Sequence, residues 1–141
     1  MNPYLTDHDM IERIINAARR GVEVRLVLPA KLNRPQPEAA LRHHYADLEA
    51  AGVEIWEYPD GLPHAKLAIA DDTVHFGTLN LDAWTLYRDF EVAVVAENPA
   101  AASLFTERIF EPDIARSKPG VAPAGLGRAL NWMWAKLAWF L

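Results

Sequence analysis

Apolar residues follow two periods along this chain, and the changes of period mark its elements. Met10, Ile11, Ile14, Ile15 and Ala18 recur at helical spacing. Thr6 followed three residues later by Asp9 has the form of a capping box, so a helix is predicted from about Asp7 to Arg20. Arg19 and Arg20 complement its C-terminal dipole and Gly21 supplies the left-handed stop. From Val22 to Leu28 valine and leucine alternate with Glu23 and Arg25 up to Pro29, which predicts a strand. After a loop from Ala30 to Gln36, Pro37 opens a second helix that carries Leu41, Tyr45 and Leu48 on one face and stops at Gly52. Strands are then predicted over Val53–Tyr58, over His64–Ala70 after the Pro59-Asp60-Gly61 turn, and over Val74–Phe76 after the Asp71-Asp72 turn. A further strand of buried character spans Phe90–Ala96, and Asn98-Pro99 caps and opens a helix running to about Phe110.

This alternation predicts an α/β fold, a mixed sheet flanked by helices, in a chain whose 141 residues suit one ordinary domain. The first strand follows a helix, so the expectation is an α/β domain without its opening strand and crossover. Residues 118–125, centred on Pro-Gly-Val-Ala-Pro-Ala-Gly, read as a linker. Residues 126–141 then read as an amphipathic helix with Leu126, Leu130, Met133, Trp134, Leu137 and Leu141 on one side. Sixteen helical residues span roughly 24 Å, short of the ~30 Å hydrocarbon core of a bilayer. Trp132, Trp134 and Trp139 interleaved with Lys136 and Arg128 suit a helix lying in a membrane interface; the same stripe equally suits a terminal helix packed on protein.

Charge sharpens the division. All 19 acids and 10 of the 14 Lys/Arg lie in residues 1–113, a balance of −9, whereas residues 114–141 hold four Lys/Arg and no acid. An acidic body is a poor surface for a polyanion, so nucleic acid is not the expected partner. The absence of cysteine excludes disulfides, thiolate-bound zinc and a thiol nucleophile. The N-terminus shows no signal-peptide pattern, because Met1-Asn2-Pro3-Tyr4 leads into a charged helix start.

Candidate chemistry concentrates between His64 and Glu91. On a strand, His64 and Lys66 share a face, as do Thr78 and Asn80 after the reversal, and Glu91 opens the next strand. An imidazole, an ammonium, a hydroxyl, a carboxamide and a carboxylate at one spot suit a phosphate ester better than a carbonyl or a metal. Ala68 and Ala70 share the His64 face and leave room for a head group. Asp71 has the opposite parity and is assigned to the turn. His43 and His44 read as structural or solvated, His75 as solvent-facing or at the site mouth, and Arg19 and Arg20 as a helix-end charge pair.

His64-x-Lys66 with Asp71 after four further residues, followed by Gly77-Thr78-Leu79-Asn80, resembles the His-x-Lys-x4-Asp and Gly-Ser/Thr-x-Asn signature of the phospholipase D superfamily. Asn2-Pro3-Tyr4, the run from Ala18 to Arg25, Gly52-Val53-Glu54-Ile55 and Asn80-Leu81-Asp82 extend the likeness over roughly residues 2–117 to the C-terminal catalytic half of cardiolipin synthase-type members, with residues 1–117 as the catalytic half-domain. The chain differs at Trp84-Thr85, where those members commonly carry Arg-Ser, and at Asp89, where they often have Asn.

The resemblance implies phosphatidyl transfer or phospholipid hydrolysis through a phosphohistidine, with no cofactor and no metal. Neutral imidazole attacks phosphorus, a second imidazole protonates the leaving oxygen, and Lys66, Thr78 and Asn80 donate to the phosphoryl oxygens. Glu91 would fix the tautomer of His64, with Asp71 and Gly77 as structural motif positions. Only one His-x-Lys is present, since His8, His43, His44 and His75 lack a lysine two residues on. The resemblance therefore implies half a site, completed by a homodimer or a separate polypeptide, on a cytoplasmic protein held peripherally at a membrane. The alternatives are a homodimeric nuclease or phosphodiesterase, and an inactive half-domain acting only as a partner module.

Overall fold

The structure, a computed structural model, describes residues 1–61, 63–124, 127 and 130–133. Helix α1 (His8–Arg19) leads to β1 (Arg25–Pro29), α2 (Pro35–His43), α3 (Tyr45–Ala50) and β2 (Glu54–Tyr58). The hairpin of β3 (Leu67–Ala70) and β4 (Thr73–Gly77) follows, then α4 (Ala83–Tyr87), β5 (Ala93–Glu97), α5 (Pro99–Phe105), a π-helical turn (Thr106–Phe110), α6 (Glu111–Arg116) and β6 (Lys118–Pro119). The fold is mixed α/β with sheets flanked by helices. Where one sheet was expected, the strands form two of three, ordered β1-β2-β6 and β3-β4-β5. β1 and β2 run parallel, with α2 and α3 as their crossover, while β6 joins β2 and both neighbours of β4 join it in antiparallel fashion.

Two apolar clusters hold the sheets, and the second is shared, since Val27 of β1 and Tyr58 of β2 join it. Leu5, Ile11, Leu28, Leu41, Tyr45, Leu48 and Ile55 bury the first sheet against α1 and α3. Met1, Val27, Tyr58, Leu67, Val74 and Ala102 form the second, where Phe76 stacks on Phe105 at 5.1 Å. The predicted helical face of Leu41, Tyr45 and Leu48 is buried throughout. The expected single helix nonetheless breaks at His44, where ψ rises to −7° and the His44 amide donates to the carbonyl three residues back, at Leu41.

Several boundaries differ from those predicted. The cap of α1 is Asp7, whose Oδ1 accepts from the Met10 amide at 2.9 Å, in place of the Thr6–Asp9 box. β3 begins at Leu67, so His64 and Lys66 precede the strand; the ladder still reaches Lys66, whose carbonyl accepts from the Gly77 amide at 3.2 Å. β5 is not buried: it is the free edge of its sheet and its residues are mostly exposed. The helix expected to end near Phe110 continues to Arg116 through the π-helical turn, because Pro112 removes an amide and crowds the carbonyl of Arg108, widening the turn before it. Within the expected linker, β6 and Gly120 lie on the first sheet, the Gly120 amide donating to Ile55 O at 2.8 Å.

Asn98 caps α5 as predicted, accepting from the amides of Ala100 and Ala101. Of the tail, Trp132 is exposed, whereas Trp134, Lys136 and Trp139 lie outside the described residues. Among the described residues no helix is long and apolar enough to cross a membrane.

Candidate active site

The β3–β4 hairpin sets the geometry. Asp71 takes φ +51° at the reversal, a left-handed conformation that aspartate tolerates better than most residues, so its place is in the turn, at the far end of the hairpin from His64. At the near end the chain enters through His64-Ala65-Lys66. The Leu67 amide donates to Met1 O at 2.9 Å, and the Met1 ammonium donates to Leu67 O at 2.7 Å, which pins the entry.

Lys66 is only 8% exposed and its ammonium turns back on His64. Nζ lies 2.9 Å from Nε2 and 3.1 Å from Nδ1 of the ring, and donates to the His64 carbonyl at 3.1 Å. Near-equal distances to both ring nitrogens place the ammonium beside the ring rather than in line with one lone pair. Burial pushes the Lys66 pKa below the ordinary lysine value, while the charges of Glu91 and Asp82 pull it back up. His64 itself is exposed to solvent.

Across the sheet, β5 approaches Gly77 of β4 closely. A Cβ there would lie 2.1 Å from Val92 O and 2.8 Å from Ala93 Cα, which gives the glycine of the Gly-Thr-x-Asn run a steric reason. Next to it the Thr78 amide donates to Val92 O at 2.9 Å, and the Val92 amide donates to Thr78 Oγ1 at 3.0 Å. The Thr78 hydroxyl donates to the Glu91 carboxylate. Glu91 therefore belongs to Thr78 here, and no hydrogen bond or ion pair joins it to His64. The reason is positional: Glu91 sits at the β4–β5 crossing, where Thr78 is its neighbour, and His64 lies ahead of β3.

Asn80 is half-buried. Its Oδ1 is buried with no hydrogen-bond partner, and no hydrogen bond links Asn80 to His64 or Lys66. An unpaired buried acceptor costs about 1–3 kcal/mol and would be completed by a donor; a phosphoryl oxygen would instead be met by the Nδ2 group of the same amide. Two residues outside the expected set organise this segment. Asn2 donates through Nδ2 to Leu79 O at 3.1 Å and accepts from the Leu81 amide at 3.3 Å, bracketing Asn80. Asp82 caps α4 by accepting from the Thr85 amide at 2.7 Å, and its charge reaches Lys66. Asp82 was detectable as an N-cap three residues before Thr85; Asn2 carried only the local Asx-turn signal before Tyr4, whose amide it accepts.

The structure thus joins His64 to Lys66 and Thr78 to Glu91, with Glu91 and Asp82 coupling electrostatically to Lys66. No group of three or more metal-ligating side chains occurs among the described residues. Clefts of about 270 Å³ between α1 and α3, and about 350 Å³ beside residues 31–39, lie away from the cluster.

Residues 1–113 match the family model described as cardiolipin synthase, PLD-like domain. The chain is 36% identical over 118 residues to cardiolipin synthase A of Erwinia tasmaniensis, covering 82% of this chain and 24% of that protein. It spans about a fifth to a quarter of the length of the curated relatives it matches. Among solved structures it is similar to Nuc, a phospholipase D family member from Salmonella typhimurium, with a TM-score of 0.73 at 23% identity, covering 85% of this chain and 78% of that one. NucT from Helicobacter pylori gives a TM-score of 0.65 at 16% identity, covering 84% and 79%.

Proposed function

This chain belongs to the cardiolipin synthase, PLD-like domain family, and on that premise we propose that residues 1–117 carry half of a phospholipid phosphodiester-transfer site. The observation behind the reading is an exposed imidazole at 2.9 Å from a buried ammonium, at the same sheet end as a hydroxyl–carboxylate pair.

In the first step a ring nitrogen of His64 attacks phosphorus. The bond to the leaving alkoxide breaks as a second imidazolium protonates it. In the second step that imidazole removes a proton from the acceptor, an alcohol or water, which attacks phosphorus and releases His64. Lys66, Thr78 and Asn80 bind the phosphoryl oxygens, where negative charge accumulates. Desolvation suits Lys66 to this task, since an ammonium poor in water partners gains more from a phosphoryl oxygen than a hydrated one does. Thr78, already committed to Glu91 as donor, serves once Glu91 takes another partner; a second imidazole is the natural candidate. Asp71 and Gly77 shape the hairpin without touching substrate. Residues 118–125 connect to the tail of 126–141, through which the protein meets the membrane surface from the cytoplasmic side.

The test is hydrolysis or transfer by the purified chain, measured on phosphatidylglycerol vesicles and on a chromogenic phosphodiester. The reading expects His64→Ala and Lys66→Ala to lose at least about 100-fold in rate while remaining folded, the usual scale for removing a principal acid–base or nucleophilic group. Wild-type activity retained by folded His64→Ala would overturn it.

A further inference from the structure

The segment from Asp82 to Glu91 carries a cross-brace that the site described above does not use. The segment is pinned at its start, where Asp82 caps α4 and Thr85 is buried, and at its end, where the Val92 backbone bonds Thr78. Between these points little else holds it. Five residues are too few to sustain a helix on their own, Tyr87 is 60% exposed and Phe90 is fully exposed. What spans the gap is Trp84. Its indole Nε1 donates to Asp89 Oδ1 at 3.0 Å, a bond strengthened by the acceptor's charge, and the Arg88 guanidinium lies over the indole, 5.0 Å from the ring centroid. Trp84 and Asp89 are positions at which the sequence departs from the pattern it resembles, and in the structure they form one contact.

We propose that Trp84 is a positioning residue for the phosphodiester site: holding Asp89 by its N–H and Arg88 by its face, it keeps the Glu91 carboxylate on Thr78; the assignment rests on the phosphodiester reading above. Asp89 lies two residues before Glu91 and Arg88 three, so fixing both sets the path by which the chain enters the site. Sequestering Arg88 matters as much as anchoring Asp89. A guanidinium is a bidentate partner for a carboxylate, and one released beside Glu91 would compete with the Thr78 hydroxyl for it. Stacked on the indole, that cation is occupied elsewhere.

Other roles fit Trp84 less well. A tryptophan at a membrane interface turns its N–H to water or head groups, whereas this N–H is committed within the chain. A brace that only stabilised α4 would change stability and leave Lys66 alone. That difference can be read, because the charges acting on Lys66 are those of Glu91 and Asp82, with neither Asp89 nor Arg88 among them. Loss of the Asp89 acceptor therefore reaches Lys66 by moving one of those two carboxylates, and removing the Glu91 charge tells which.

Trp84→Phe keeps a ring and removes the N–H, Asp89→Ala removes the acceptor, and Asp89→Asn keeps an accepting oxygen. Two readouts are taken on the full chain. One is the Lys66 side-chain titration, followed by NMR with isotope-labelled lysine and assigned with Lys66→Gln; the other is kcat, KM and the pH–rate profile on a chromogenic phosphodiester. Trp84→Phe and Asp89→Ala are each expected to move the Lys66 titration and the alkaline limb to lower pH, in the direction of Glu91→Gln. Each is expected to lower kcat about 10-fold with KM nearly unchanged. Asp89→Asn is expected to bring both readouts back toward wild type. In a Glu91→Gln background Trp84→Phe is expected to add no further shift. A Lys66 titration unmoved in both single variants, or a shift that persists in full without the Glu91 charge, overturns the assignment. Should Trp84→Phe fail to fold, the exposed Asp89 carries the same test from the other end of the bond. A wild type that cleaves no phosphodiester while the titration shifts as stated overturns the proposed function and leaves the hold on Glu91 standing.

Discussion

Replacing Gly77 with alanine adds one methyl group where β5 passes close to β4. That methyl would lie 2.1 Å from Val92 O and 2.8 Å from Ala93 Cα, both backbone atoms that no side-chain rotation can clear. Ordinary carbon–oxygen contact begins at about 3.3 Å, so β5 must retreat by roughly 1 Å. The Thr78 amide to Val92 O bond, now 2.9 Å, and the Val92 amide to Thr78 Oγ1 bond, now 3.0 Å, would then stretch beyond useful length. Two such bonds contribute about 1 kcal/mol each, and overpacking strain adds about 1–3 kcal/mol. The expected loss is about 3–5 kcal/mol by urea unfolding, with catalytic activity falling further because Thr78 and Glu91 hang from the same crossing. Elsewhere in a strand the same exchange would relieve chain entropy and stabilise by about 0.5 kcal/mol. A Gly77→Ala protein within 0.5 kcal/mol of wild type would refute the steric account of this glycine.

Three further outcomes are expected. Burial lowers the Lys66 pKa and Glu91 opposes that shift, so the alkaline limb of the pH–rate profile should lie below the ordinary lysine range, and Glu91→Gln should move it to still lower pH; an unmoved limb would refute the coupling. His44 is held at about 4, from 6.5, by burial and then by His43 and His8, with Asp47 opposing. Between those values the unfolded chain binds more protons than the folded one, so stability should fall as pH drops from 6.5 to 4, by about 1–3 kcal/mol. Thermal melts of His44→Gln should lose most of that slope, and an equal slope in both proteins would count against the assignment. Asn2→Ala should cost about 1–3 kcal/mol and, if Asn80 depends on its bracket, reduce turnover more than substrate affinity; unchanged kinetics would refute the dependence.

The arrangement around His64 was legible in the sequence where it depends on local geometry. Spacing set Lys66 beside His64, the parity of Asp71 put it in the turn, and Asn98-Pro99 marked the start of α5. What failed to show was whatever depends on the neighbourhood. Phe90 to Ala96 has the composition of a buried strand because apolar residues look alike whether the same chain covers them or not, and here most of them are exposed. α4 is a five-residue helix, too short to impose a period, and only its Asp82 cap marked it. The division of strands into two sheets follows from which edges meet across the chain, and the order of elements alone does not determine that. The exchange of Glu91 from His64 to Thr78 is of the same kind, since residue spacing gives parity within a strand but not the offset between strands.

The first sheet contributes none of the proposed catalytic groups, yet the Asn80 segment is held by what packs on it. The segment before α1 runs beside residues 79–81: Leu5 bridges Leu81, the amides of Thr6 and Asp7 donate to Leu81 O at 2.9 and 3.0 Å, and Asn2 holds both Leu79 and Leu81. Asp7 then caps α1, and Leu5 and Ile11 anchor both pieces in the first core with Tyr45 and Leu48. The backbone on either side of Asn80 is therefore fixed from a cluster distinct from the one beneath β3 and β4. The backbone flanking Asn80 is thus set as the chain folds, whereas the Oδ1 of its carboxamide has no partner. In this arrangement the α1 half of the chain acts on the chemistry through stiffness, and a substitution that loosens α1 is felt at Asn80 without touching a reacting atom.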